Sequence, residues 1–186
     1  VADLERALTE ILACFRPGRG NFLTDFFTHR IDRILVAATK ADHIHHTAHD
    51  RLQAIVRRLA DRAIERANFS GAEVDVLAMA AVRATREGTV KQGREELPVI
   101  IGTPIAGETI GKETFDGATE TAIFPGDLPA DPASVLKAGN GDGQEAIRFV
   151  RFRPPRLERT AEGITLSLPH IRLDRALQFL IGDRLA

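Results

Sequence analysis

The chain has 186 residues, 44% hydrophobic and 27% charged, with a formal net charge of −1. This excludes wholesale disorder and suits one ordinary domain, whose core takes up about two-thirds of the surface an unfolded chain exposes. A charge so near zero gives no global pull toward nucleic acid or anionic lipid, and the single cysteine, Cys14, has no internal disulfide partner.

No apolar run approaches the ~20 residues that span a bilayer, and the first residues lack a signal-peptide pattern. The expectation is a cytoplasmic protein without membrane attachment. The chain opens with Val1 and a helical "VADLERALTEILACF", as an excised piece of a longer protein would.

Leu4, Leu8, Ile11, Leu12 and Phe15 recur at helical spacing and predict an amphipathic helix over 3–15, stopped by "RPGRGN". Residues 22–31 predict a second short helix. "DRILVAAT" predicts a strand over 32–38, so uniformly apolar that both of its faces should be covered. The next helix, 48–67, has Leu52, Ile55, Val56, Leu59, Ala63 and Ile64 on one face, and Thr47 with Asp50 approximates a capping box. "AEVDVLAMAAV" predicts a strand over 73–82, completing a parallel βαβ unit.

From Arg83 the texture changes. "TREGTVKQGREELPVIIGTPI" alternates turn residues with short β-prone pieces and predicts a meander. Residues 125–143, rich in Pro, Gly, Asp and Ala, predict a long surface loop. "IRFVRFRP" predicts a further strand. A closing helix carries Leu173, Leu177, Leu180 and Ile181.

Thr39-Lys40-Ala41-Asp42 lies at the carboxyl end of the first predicted strand, the edge where open α/β sheets bind ligands. The pattern [N/T]-K-x-D is the guanine-reading loop of GTPases. One carboxylate accepts both adjacent donors of guanine, N1–H and N2–H₂; adenine offers no such pair at the matching edge and would leave Asp42 unpaired. Lys40 would lay its methylene stem over the base, and Thr39 would brace the loop. A second buried strand ends near Ala80-Ala81-Val82, where GTPases place the loop that supports the base through backbone N–H groups. The same residues could equally form the solvated lip of a strand.

The phosphate motif G-x-x-x-x-G-K-[S/T] is missing. Its nearest approach is "AGETIGKET", with Ala106 at the first glycine and Glu113 at the hydroxyl position. A glutamate there repels phosphate and offers Mg²⁺ no hydroxyl, so this stretch reads as a decoy. His43, His45, His46 and His49 cluster, but without an H-E-x-x-H pattern, and they read as the surface entry to a helix with no metal duty. Arg148, Arg151, Arg153, Arg156 and Arg159, interleaved with Phe149 and Phe152, could bind nucleic acid. The plainer reading is an edge strand with its aromatics inward and its arginines solvated. "NGDGQE" is half a calcium loop at best and reads as a flexible turn.

Together, "DRILVAATKADHI", "LAMAAVRAT" and "LPHIRLDRALQFLIGDRL" resemble the YcjX family of bacterial P-loop NTPases, in order along almost the whole chain. The resemblance implies the C-terminal portion of a cytoplasmic, stress-associated GTPase or ATPase whose phosphate loop and Mg²⁺ site lie in an N-terminal half. It carries base binding to Thr39, Lys40 and Asp42, with Ala81 and Val82 as backbone contacts, and it carries over no catalytic residue. Ala81 stands where GTPases often have serine, so side-chain bracing of Asp42 from that loop is expected to be lost.

The expected fold is therefore α/β: residues 1–82 as part of a P-loop NTPase domain, 83–160 as a β-rich segment, and 161–186 as a helix packing on the α/β part. The expected cofactors are GTP or GDP and Mg²⁺ in the parent, with none required by this chain, which would be inactive alone. The alternatives are a protein-interaction module using the β-rich segment, or nucleic-acid binding through the 148–159 arginines. An exposed sheet edge could also pair between copies.

Overall fold

The computed structural model describes residues 6–7, 9–11, 31–137, 149–156, 159–160, 163–164 and 168–185. Two parallel strands, β1 (Arg33–Ala38) and β2 (Glu73–Ala78), run in register from Arg33↔Glu73 to Ala38↔Ala78. Between them the chain passes through helices α1 (His49–Leu59) and α2 (Asp61–Phe69). Strand residues alternate between two covered faces, as a period of two requires. Val36, Val74 and Val76 pack with Val56, Ala60 and Ile64 of the crossover. Leu35, Leu77 and Met79 pack with Leu173 and Ala176 of the last helix, α4 (Leu173–Ile181). Helix α3 (Pro132–Lys137) is a short piece in the segment after the β-rich part.

The β-rich part is built on an antiparallel sheet of β3 (Arg86–Gln92), β4 (Glu95–Gly102) and β7 (Thr121–Ile123), in the order β3-β4-β7. A small hairpin, β5 (Thr109–Ile110) and β6 (Glu113–Thr114), stands between β4 and β7 in sequence. Ile100, Phe115, Ile123, Val150 and Phe152 form its core. A second hairpin pairs β8 (Arg159–Thr160) with β9 (Gly163–Ile164).

The C-terminal segment is fastened to the α/β unit by backbone and side chain. Ala80 and Ile171 exchange two backbone hydrogen bonds of 3.0 and 2.9 Å, and Arg83 N–H donates to the Pro169 carbonyl at 2.7 Å. Arg33 of β1 donates to the Phe179 carbonyl at 3.1 Å and to the Asp183 carboxylate at 2.5 Å.

Several expectations change in detail. The predicted helix 48–67 is two helices offset at Ala60, where Asp61 opens α2 and pairs with Arg58 at 2.5 Å. Thr47 does not cap α1: Ala48 holds that position, and Thr47 N–H is taken by the His45 ring. The second strand stops at Ala78 because Ala80 turns aside to pair with Ile171. The stretch from 125 is not all surface, since Leu128 is buried with Ile44, Ile55 and Leu59. The described part of "IRFVRFRP" forms no strand, only an isolated bridge between Phe152 and Pro104. Phe152 and Val150 go inward, whereas Phe149 is 66% exposed. The predicted helix over 22–31, the "NGDGQE" turn and Cys14 fall outside the described residues, apart from Ile31.

Candidate functional site

Strands β1 and β2 end side by side, and their following loops are stitched together. Met79 N–H donates to the Ala38 carbonyl at 2.9 Å, and Ala41 N–H to the Met79 carbonyl at 3.0 Å. Between these bonds Lys40 adopts the left-handed conformation, φ 60° and ψ 37°, which costs a non-glycine residue energy and turns the chain sharply. Thr39 and Lys40 are left exposed, while Ala41 and Asp42 are buried in a short 3-10 turn, Ala41–His43. His49 holds this turn from α1, its Nε2–H donating to the Ala41 carbonyl at 2.9 Å.

Asp42 is only 4% exposed. Its Oδ2 accepts the Ala84 N–H at 2.9 Å, and its backbone carbonyl accepts the Thr85 hydroxyl. Oδ1 takes no hydrogen bond among the described residues. Ala81 and Val82 are exposed, and neither backbone N–H is engaged among the described residues. The five residues read from sequence thus occupy two adjoining loops. The N–H on the Asp42 carboxylate belongs to Ala84, two positions past Val82. Ala84 and Thr85 were not found from sequence, and no signal short of the folded loop would single them out.

His43, next along, is buried with its ring edge-on to Phe152 at 5.4 Å. Burial pushes its pKa below the ordinary value, against the pull of the neighbouring Asp42 carboxylate.

The Gly111-Lys112 stretch is the turn of the β5–β6 hairpin, with Gly111 at φ 60° and every residue from Gly111 to Thr114 exposed. No helix follows it, and Glu113 replaces the hydroxyl. These residues do not fit the phosphate loop or Mg²⁺ site of a GTPase. Two arginines of the arginine-rich segment are engaged with their own chain. Arg151 pairs with Glu108 at 2.7 Å, and Arg153 donates to the Gly117 carbonyl at 2.8 Å. Arg153 and Arg156 line an open groove of about 740 Å³ with Arg83 and Arg86, where Arg86 is paired to Glu120 at 2.8 Å. Arg148 lies outside the described residues. No described helix is long and apolar enough to cross a membrane.

A parallel strand pair bridged by helices, with a polar loop at its carboxyl ends, makes this a mixed α/β protein with a candidate ligand edge where that class carries it. The chain belongs to the YcjX-like family, DUF463, which matches residues 1–185. It is 34% identical over 184 residues to a protein of Escherichia coli (strain K12) named Ras-like GTPase YcjX, covering 98% of this chain and 35% of that protein. A Shewanella oneidensis protein of the same name is 29% identical over 183 residues, covering 98% of this chain and 34% of the relative. The chain therefore spans about a third of the length of the curated relatives it matches.

Proposed function

We propose that this chain is the base-recognition portion of a P-loop GTPase, and that Thr39-Lys40-Ala41-Asp42 reads guanine. The observation that carries this reading is the pairing of the two loops. A carboxylate oxygen and the backbone N–H groups of Ala81 and Val82, none of them engaged among the described residues, stand in the loops that also carry an exposed, left-handed lysine. Those N–H groups suit a base oxygen, the Lys40 stem suits a base face, and Oδ1 of Asp42 suits the guanine donors. Thr39, whose side chain makes no hydrogen bond among the described residues, flanks the site.

The parent binds GTP or GDP with Mg²⁺. This chain, without G-x-x-x-x-G-K-[S/T], hydrolyses nothing by itself, because hydrolysis needs a phosphate cradle and a positioned water. The name shared by the relatives supports the nucleotide class.

The test is calorimetry on the full-length protein carrying this chain, with GTP, GDP and ATP. Asp42→Asn should weaken GTP and GDP binding by about 10- to 100-fold, the worth of a charge-assisted hydrogen-bond pair, and leave any ATP binding unchanged. Equal binding of all three nucleotides, indifferent to the substitution, would overturn the assignment.

A further inference from the structure

His45, His46 and Glu87 meet where the loop after Asp42 passes strand β3, and their ligand-capable atoms all lie within 4.8 Å of one another. His46 Nδ1 is 2.5 Å and His45 Nε2 3.9 Å from the same carboxylate oxygen, Glu87 Oε2. The two imidazole rings lie with centroids 4.3 Å apart. Three ligands of a tetrahedral zinc ion sit about 3.3 Å from one another, so the cluster needs the 2.5 Å contact to open and the 3.9 Å one to close. His46, 63% exposed, has room to make that adjustment.

The outer partners have the arrangement that orients metal ligands. His45 Nδ1 lies 3.0 Å from the Thr47 hydroxyl and 3.4 Å from the Thr47 backbone N–H; an ion on Nε2 selects the tautomer in which Nδ1–H donates to the hydroxyl instead of accepting from that N–H. Arg83 holds Oε1 of Glu87 at 3.3 Å, leaving Oε2 as the single donor atom toward the histidines.

We propose that His45, His46 and Glu87 form a divalent transition-metal site of the zinc class, in which the ion replaces the proton between His46 and Glu87. Two imidazoles and one carboxylate select zinc-like ions over magnesium or calcium, which prefer all-oxygen shells, and three protein ligands leave a fourth position to water. The ion ties the loop three residues beyond Asp42 to β3, joining the α/β unit to the β-rich sheet. This site is independent of the guanine assignment.

The experiment titrates the 186-residue chain, stripped of metal, with Zn²⁺ by calorimetry and with Co²⁺ by visible absorption. One equivalent should bind, with the intense bands of four-coordinate cobalt. His46→Ala and Glu87→Gln should each weaken binding at least tenfold, whereas His170→Ala, away from the cluster, should change nothing. Circular dichroism checks that the variants fold. Should they not, nitrogen NMR of the unsubstituted chain must show Zn²⁺ shifting His45 Nε2 and His46 Nδ1. Absence of stoichiometric binding, equal affinity in the folded variants, or zinc shifts confined to other histidines would overturn the site.

Discussion

At the scale of single residues, Asp42 holds the Ala84 N–H and, in the proposed reading, also faces guanine, and substitution can separate the two. Asparagine keeps an oxygen for the Ala84 N–H but brings an amide N–H₂ where guanine would present its own donors, so Asp42→Asn tests base reading with the loop intact. Asp42→Ala removes both. It strands a half-buried backbone donor and should cost about 1–3 kcal/mol in urea unfolding, clearly more than Asp42→Asn. Matching losses for the two variants would mean that the latch to Ala84 contributes nothing. Asp116 shows a carboxylate serving structure alone. It accepts the N–H groups of Ala118 and Thr119 and the Thr119 hydroxyl, at 2.7 to 2.9 Å. These bonds, led by that of Ala118, hold its pKa down at about 2. A carbon NMR titration should place its midpoint there. The stability this turn adds is complete above the unfolded carboxylate's pKa near 3.8 and lost as pH falls through about 2. A midpoint near 4 would show the turn unformed in solution.

At the scale of elements, the end of β4 is a tight junction. A Cβ on Gly102 would sit 2.8 Å from the Phe152 ring and 3.2 Å from both the Ala84 carbonyl and the Thr85 methyl. Phe152 belongs to the β-rich core, while Ala84 and Thr85 hold Asp42, so this glycine lets the sheet approach the candidate loop. Gly102→Ala should destabilise by about 1–3 kcal/mol through overpacking, read as a lower denaturation midpoint at unchanged m-value. A midpoint equal to that of the unsubstituted chain would mean the junction has slack. The same junction shows why the aromatic pattern of "RFVRFRP" misled. The segment makes only an isolated bridge, Phe152 to Pro104, in place of a strand; Val150 and Phe152 go inward and Phe149 stays out.

At the scale of the molecule, acid should loosen the interface between the α/β unit and the β-rich sheet. Burial lowers the pKa of His43, beside Asp42 and Lys40, and of His45, facing Glu87, His46 and His49, below the ordinary 6.5. As pH drops below 6.5 the unfolded chain takes up these protons first, so stability falls. Glu87, held down by His46 and Arg83 against its partial burial, loses its contribution in the same direction at lower pH. The urea midpoint should therefore be lower at pH 5.5 than at pH 7.5, and His43→Leu should flatten that slope. A midpoint independent of pH would show both histidines open to protonation in the folded state.

The sequence by itself determined the local patterns: the apolar run of β1, the helical stripe from Leu52 to Ile64, the parallel return at β2, and the polar Thr39–Asp42 turn between strand and helix. Each rests on periodicity or on residues within a few positions of one another, which a linear reading captures. Only the tertiary structure decided which atoms hold Asp42, because Ala84 and Thr85 are over forty positions away and one of them acts through its backbone. It also turned a histidine-rich helix entry into two of the three members of a candidate ligand set. The missing carboxylate, Glu87, comes from a strand that no spacing rule connects to His45 and His46, and packing between the two parts of the chain brings it there.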